Sequence, residues 1–225
     1  DQGVLRYSIV TSGKRLTDEE VDQVCESIRK IKEETNIEVC FSFGLLKEEQ
    51  LRKVREAGAT RAHCNLETSR RYFPEICTTH TYDQKIETLK AAVAAGLSIC
   101  SGGIMGLGET LEDRVDMVLT VKELGVKSVP VNFLNPIPGT PYEDNKPLTD
   151  EEARQCVAVF RFIIPDASIR LAGGRGLLDD KGKECFRSGA NASISGDMLT
   201  TAGITVQKDM EMLKDLGYKP QLWED

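Results

Sequence analysis

The chain has 225 residues, 40% hydrophobic and 29% charged, an ordinary globular composition that excludes disordered and fibrous classes. Its 29 Lys and Arg against 36 Asp and Glu leave a net charge of -7, which argues against nucleic acid or an anionic membrane surface as the main partner.

The predicted elements alternate from the start. A strand over Arg6–Thr11 is followed by Thr17-Asp18-Glu19-Glu20, a capping box that opens a helix with Val21, Val24, Cys25, Ile28 and Ile31 at helical spacing. Strands over Glu38–Phe43, Arg61–Glu67 and Ser98–Ile104 precede helices near Lys47–Ala57, Tyr82–Ala95 and Leu111–Leu124. Ser128–Leu134 reads as the fifth strand. A second capping box, Thr149-Asp150-Glu151-Glu152, then opens a helix carrying Ala153, Cys156, Val157 and Phe160. The last two pairs are Ser168–Ala172 with a helix near Asp180–Ser188, and Ala192–Gly196 with a helix near Val206–Leu216.

Strict alternation at this repeat implies parallel strands joined by right-handed crossovers. Seven units are one short of a closed (β/α)₈ TIM-type barrel, and no linker divides residues 1–225, so the expectation is a single barrel domain. Parity favours the barrel over an open sheet. Val39, Phe41 and Phe43 alternate with Glu38, Cys40 and Ser42; Cys64 and Leu66 alternate with His63, Asn65 and Glu67; Ile169 and Leu171 alternate with Ser168 and Arg170. One apolar phase goes to the helices and the polar phase to a common interior, whereas an open sheet covered on both faces would be apolar in both.

No apolar run approaches the roughly 18 residues of a membrane span. Asp1-Gln2-Gly3-Val4 lacks the basic-then-apolar pattern of a leader. With seven Cys at wide, irregular spacing, a reduced, cytoplasmic setting is expected.

Cys100 through Glu109 is the sharpest local motif: Cys100-Ser101-Gly102-Gly103-Ile104-Met105-Gly106-Leu107-Gly108-Glu109 runs off a strand into a helix, with glycines that would let a ligand approach the backbone. It is not a dinucleotide fingerprint, because Leu111 stands where the third glycine would be needed. Parity places Cys40 and Cys100 inward, Cys25, Cys64 and Cys156 in apolar phases, Cys185 in the core, and Cys77 on the mouth-side loop beside Thr78-Thr79-His80. Without a C-x-x-C pair and with His63 and His80 the sole histidines, a zinc site is disfavoured, and inward thiols suit an iron–sulfur cluster. Asn65 and Glu67 could hold a diol or a urea-like group, as could Asn132. A buried Arg170 needs an acid, a cluster or other acceptors.

At these residues the sequence resembles the biotin synthase family of radical S-adenosylmethionine enzymes. The resemblance spans Val4 to Gly217 and rests on His63-Cys64-Asn65-Leu66-Glu67-Thr68-Ser69, on Cys100 through Glu109, on Ser128-Val129-Pro130-Val131-Asn132, on Ile169-Arg170-Leu171-Ala172-Gly173-Gly174-Arg175, and on Gly189-Ala190-Asn191. It implies a (β/α)₈ barrel that inserts sulfur into dethiobiotin with a 5′-deoxyadenosyl radical. A [4Fe–4S] cluster reduces S-adenosylmethionine, and an auxiliary cluster, [2Fe–2S] or a four-iron type, supplies the sulfur. By the same resemblance Cys40, Cys100 and Arg170 are auxiliary-cluster ligands. Asn65, Glu67, Lys85 and Ile104 bind S-adenosylmethionine, and Asn65 with Asn132 binds dethiobiotin. A flavodoxin- or ferredoxin-type reductant and a homodimer are implied as well.

Two departures stand out. The C-x-x-x-C-x-x-C motif for the S-adenosylmethionine cluster is absent, so the chain is expected to be a truncated piece that lacks the first barrel unit. Ser8 stands where better-known relatives carry a third auxiliary Cys, and Cys77, ahead of Cys64, is the expected replacement. Competing expectations are a methylornithine-synthase-like or hydrogenase-maturation-like radical enzyme, a cluster-free barrel enzyme, and a binding domain.

Overall fold

The structure, a computed structural model, describes residues 3–196 and 203–222. Asp1 and Gln2, half of the segment read above for a leader, lie outside the described residues. The strands are β1 (Arg6–Val10), β2 (Glu38–Ser42), β3 (Arg61–His63), β4 (Ser98–Cys100), β5 (Gly103–Met105), β6 (Ser128–Phe133), β7 (Ser168–Leu171) and β8 (Ala192–Ser193). The helices are α1 (Asp18–Glu34), α2 (Glu48–Glu56), α3 (Phe73–Ile76), α4 (Tyr82–Ala94), α5 (Leu111–Glu123), α6 (Asp150–Ile163), α7 (Lys183–Arg187) and α8 (Val206–Asp215). The sheet runs β1-β2-β3-β4-β6-β7-β8, with β5 continuing β4 alongside β6. Every named pair is parallel. The result is the seven-stave half-barrel that alternation predicts.

Helix starts follow the sequence. Thr17 and Thr149 cap α1 and α6 as full capping boxes, and Thr81 and Thr110 do the same for α4 and α5. Apolar helix faces cover the outward strand phase: Val21, Cys25 and Ile28 of α1 and Val157 and Phe160 of α6 are buried with Val39, Phe41, Val129, Val131, Ile169 and Leu171. Cys25, Cys64, Cys156 and Cys185 belong to this core. Tyr7, in the same strand phase as the half-buried Ile9, is 51% exposed, because β1 is an edge strand bonded to β2 alone among the described residues.

Two staves differ from the simple alternation. The predicted strand Ser98–Ile104 is split at Ser101-Gly102, yet its register on β6 continues, Cys100 opposite Ser128 and Gly103 opposite Val131. The predicted strand Arg61–Glu67 ends at His63 and slips by one residue: His63 pairs with Cys100, and the next bridge joins Glu67 to Gly103, four steps on one chain against three on the other. Glu67 absorbs the extra residue in a left-handed conformation, φ +70°, the local signature of a bulge. Its placement is therefore set by this turn and not by strand alternation.

Candidate functional site

The inward layer gathers thiols and guanidinium groups. The Cys100 sulfur is fully buried; Arg170 Nη2 donates to it at 3.1 Å, and His63 Nδ1 lies 3.1 Å from it. Arg170 Nη2 also donates to Ser128 Oγ. Burial alone would raise the Cys100 pKa, but the Arg170 and His63 charges and hydrogen bonds from His63 and Ser128 outweigh it and hold the thiol at about 6. Cys40, equally buried, goes the other way. Burial and the neighbouring Cys100 push it up to about 11 against the pull of Arg170, Arg61 and Arg6. The layer thus sets one thiol with a lowered pKa beside one with a raised pKa.

Beside it, loops at the strand ends enclose a cavity of about 120 Å³ lined by Lys14, Ser42, His63, Asn65, Glu67, His80 and Lys85, among others. Lys85 Nζ, reaching in from α4, stands 3.6 Å from Glu67 Oε1. Glu67 Oε2 is buried without a hydrogen-bond partner, while the side chain as a whole lines the cavity. Asn65 Oδ1 accepts from the Gly102 N–H at 3.1 Å, which orients its amide. The Cys64 thiol touches the same cavity but belongs to the core, and burial lifts it to about 11.

Asn132 is bound on both sides of its amide: Nδ2 donates to Gly103 O at 3.1 Å and Oδ1 accepts from the Gly173 N–H at 2.9 Å. One N–H and one lone pair remain for a ligand. Ile104 sits opposite Asn132 in the β5–β6 ladder, half-buried. Packing and turn geometry account for the glycines of the Cys100–Glu109 motif. A Cβ on Gly102 would stand 2.0 Å from Pro130 O, and one on Gly103 would stand 2.3 Å from Glu67 O, while Gly106 and Gly108 adopt φ of +104° and +106°. They permit close strands and tight turns.

Cys77 follows α3 at the mouth, half-buried, its sulfur 3.4 Å from His80 Nδ1 and 3.6 Å from Thr79 Oγ1. Burial raises its pKa, but hydrogen bonds from Thr79 and His80 more than offset that and lower it. Among the described residues, no three His, Cys, Asp or Glu side chains converge where a single ion could sit. Sequence reasoning placed Cys40, Cys100 and Arg170 together correctly but gave no role to His63, Ser128 and Arg61. The inward phase of His63 was the available signal.

Residues 1–121 match the model of the radical SAM superfamily, and residues 130–219 match that of the biotin and thiamin synthesis associated domain. Biotin synthase of Akkermansia muciniphila is 58% identical over 221 residues, covering 98% of this chain and 69% of that protein. The chain belongs to the biotin synthase family. Biotin synthase 2 of Corynebacterium diphtheriae is 60% identical over 97% of this chain and 66% of that protein, and biotin synthase of Brachyspira hyodysenteriae is 57% identical over 100% and 68%. The chain thus spans between 66% and 69% of these biotin synthases. Among solved structures, methylornithine synthase superposes with a TM-score of 0.83 at 19% identity, over 98% of this chain and 69% of that one. The hydrogenase maturase of Carboxydothermus hydrogenoformans superposes at 0.79 and 18%, over 99% and 57%. At those identities the likeness is one of fold, and it places the half-barrel among partial (β/α)₈ barrels. The two matched models meet within one continuous sheet, where β4 and β5 bond to β6. Membership makes the chain part of a sulfur-inserting radical enzyme that uses S-adenosylmethionine and iron–sulfur clusters. No described helix is long and apolar enough to cross a membrane.

Proposed function

We propose that the half-barrel, one domain over residues 1–225, is where sulfur reaches dethiobiotin, with Cys40, Cys100 and Arg170 holding an auxiliary iron–sulfur cluster. The observation that carries this is the buried Cys100 sulfur between Arg170 and His63, each at 3.1 Å. A sulfur with no exposed surface, hydrogen-bonded to a guanidinium and beside an imidazole, is the donor chemistry that an iron cluster requires. When bound, S-adenosylmethionine with its [4Fe–4S] partner supplies a hydrogen-abstracting radical, and the auxiliary cluster, [2Fe–2S] or a four-iron type, supplies the sulfur atom.

The residues of this chain bind, orient and exclude water. The Glu67 carboxylate and the Asn65 amide, both lining the cavity, fit ribose hydroxyls, and Lys85 provides a point charge for the methionine carboxylate. Ile104 offers an apolar face to the adenine. The free donor and acceptor of Asn132 match a ureido ring, and the Asn65 amide is a second group for dethiobiotin. Arg170 neutralises charge beside Cys100 that would otherwise be costly in a buried layer. Cys77 as a further ligand is tested by Cys77→Ala, which should lower auxiliary iron and sulfide if the thiol takes part. The reading includes a flavodoxin- or ferredoxin-type electron donor, a homodimer and a cytoplasmic setting, the last in keeping with seven free thiols.

The decisive experiment is iron and acid-labile sulfide content with Mössbauer spectra on anaerobically reconstituted protein and its Cys40→Ala variant. Loss of one cluster in the variant supports the assignment. Unchanged iron and sulfide overturns it and leaves a radical enzyme without a sulfur-donating cluster.

A further inference from the structure

We propose that His63 is a nitrogen ligand of the auxiliary cluster, filling the position for which Ser8 offers no thiol. The inference rests on the auxiliary-cluster reading above and adds a ligand to it. His63 and Cys100 are register partners on adjacent staves, so their side chains leave the sheet on the same face, and Nδ1 lies 3.1 Å from Sγ. Two ligands of one tetrahedral metal, with bonds of about 2.3 Å to sulfur and about 2.1 Å to nitrogen, stand roughly 3.6 Å apart. The observed pair, at hydrogen-bond distance, is about 0.5 Å closer than that spacing, so a small outward shift of either side chain would admit a shared metal.

The other candidates are placed less well. Ser8 lies exposed on the edge strand opposite Cys40, and a hydroxyl is a hard donor in a soft site. Cys77 is engaged by Thr79 and His80 in its own loop, and neither is part of the Cys100 layer. The Cys64 side chain packs in the core. His63 is already where the Cys100 sulfur and Arg170 converge.

Replacing a thiolate by a neutral imidazole removes one negative charge from the ligand set, which makes the cluster easier to reduce than an all-thiolate one. Arg6, Arg61 and Arg170 surround Cys40, and their charge acts in the same direction.

The test is nitrogen hyperfine spectroscopy on the reduced, reconstituted protein, prepared unlabelled and with ¹⁵N-histidine. A coupling that changes from the ¹⁴N to the ¹⁵N pattern on histidine labelling, and so does not come from Arg170, is expected. It should persist in His80→Ala and vanish in His63→Cys, which should still load iron and sulfide. If Cys40→Ala abolishes the auxiliary cluster but labelled wild-type protein shows no histidine coupling, the His63 assignment is overturned and the cluster stands. A coupling that is lost in His80→Ala instead overturns it equally. If Cys40→Ala leaves the iron content intact, the failure lies in the parent reading, and this inference falls with it.

Discussion

Arg175 Nη2 donates to Asp209 Oδ2 at 2.7 Å, with both side chains almost wholly buried, tying the turn after β7 to α8. Ser195 Oγ donates to the same oxygen. Removing the acid would leave a buried guanidinium without its counter-charge, whereas removing the base leaves Asp209 still bonded to Ser195. Asp209→Ala should therefore cost about 3–5 kcal/mol, and Arg175→Met clearly less, in urea unfolding followed by circular dichroism.

Asp113, buried at the start of α5, accepts from Ser69, Thr110 and Arg71. Burial raises its pKa, but those hydrogen bonds prevail and hold it at about 2. The unfolded value is about 4, so its stabilisation is complete above that pH and is lost as the pH falls from about 4 toward 2. Urea midpoints measured from pH 6 to pH 2.5 should fall more steeply for the wild type than for Asp113→Asn, which should start lower at pH 6.

Gly103 and Gly176 offer a matched contrast. A Cβ at Gly103 would stand 2.3 Å from both Glu67 O and Met117 Sδ, while one at Gly176 meets nothing within 4 Å. Gly103→Ala should lose about 1–3 kcal/mol through overpacking and disturb the Glu67 bulge. Gly176→Ala should stay within about 0.5 kcal/mol of the wild type. Thermal melts of the two variants check this.

Glu67 and Lys85 make a second test of the cavity. Glu67→Gln removes the charge that faces Lys85 and weakens an acceptor lining the cavity, so S-adenosylmethionine binding should fall about tenfold. Lys85→Ala should do the same, and Lys85→Arg should retain binding. Equilibrium dialysis of the reconstituted protein against labelled S-adenosylmethionine measures all three.

Local devices were legible in the residues. Thr17, Thr81, Thr110 and Thr149 cap helices by short-range chemistry, and the first and last of these were read directly as capping boxes. Parity alone brought Cys40, Cys100 and Arg170 into one layer. Relations between strands were not legible, since register belongs to two chain segments at once. The slip between His63 and Glu67 and the break at Ser101-Gly102 depend on how close Pro130 and Glu67 come to Gly102 and Gly103. The contact of His63 with Cys100 depends on the pairing of β3 with β4, which no local pattern in either segment announces.

Arg6, Arg61 and Arg170 repel one another around Cys40, and Arg6 is pulled down by burial and by its two cationic neighbours. A dense positive layer in a protein interior opposes its own collapse. Insertion of an anionic cofactor would remove that opposition, so maturation of this barrel is expected to be a folding event as much as a chemical one. Before loading, the chain should resist proteases poorly, and small anions at high concentration should protect it in part. After loading, it should tighten by the free energy with which the cofactor binds.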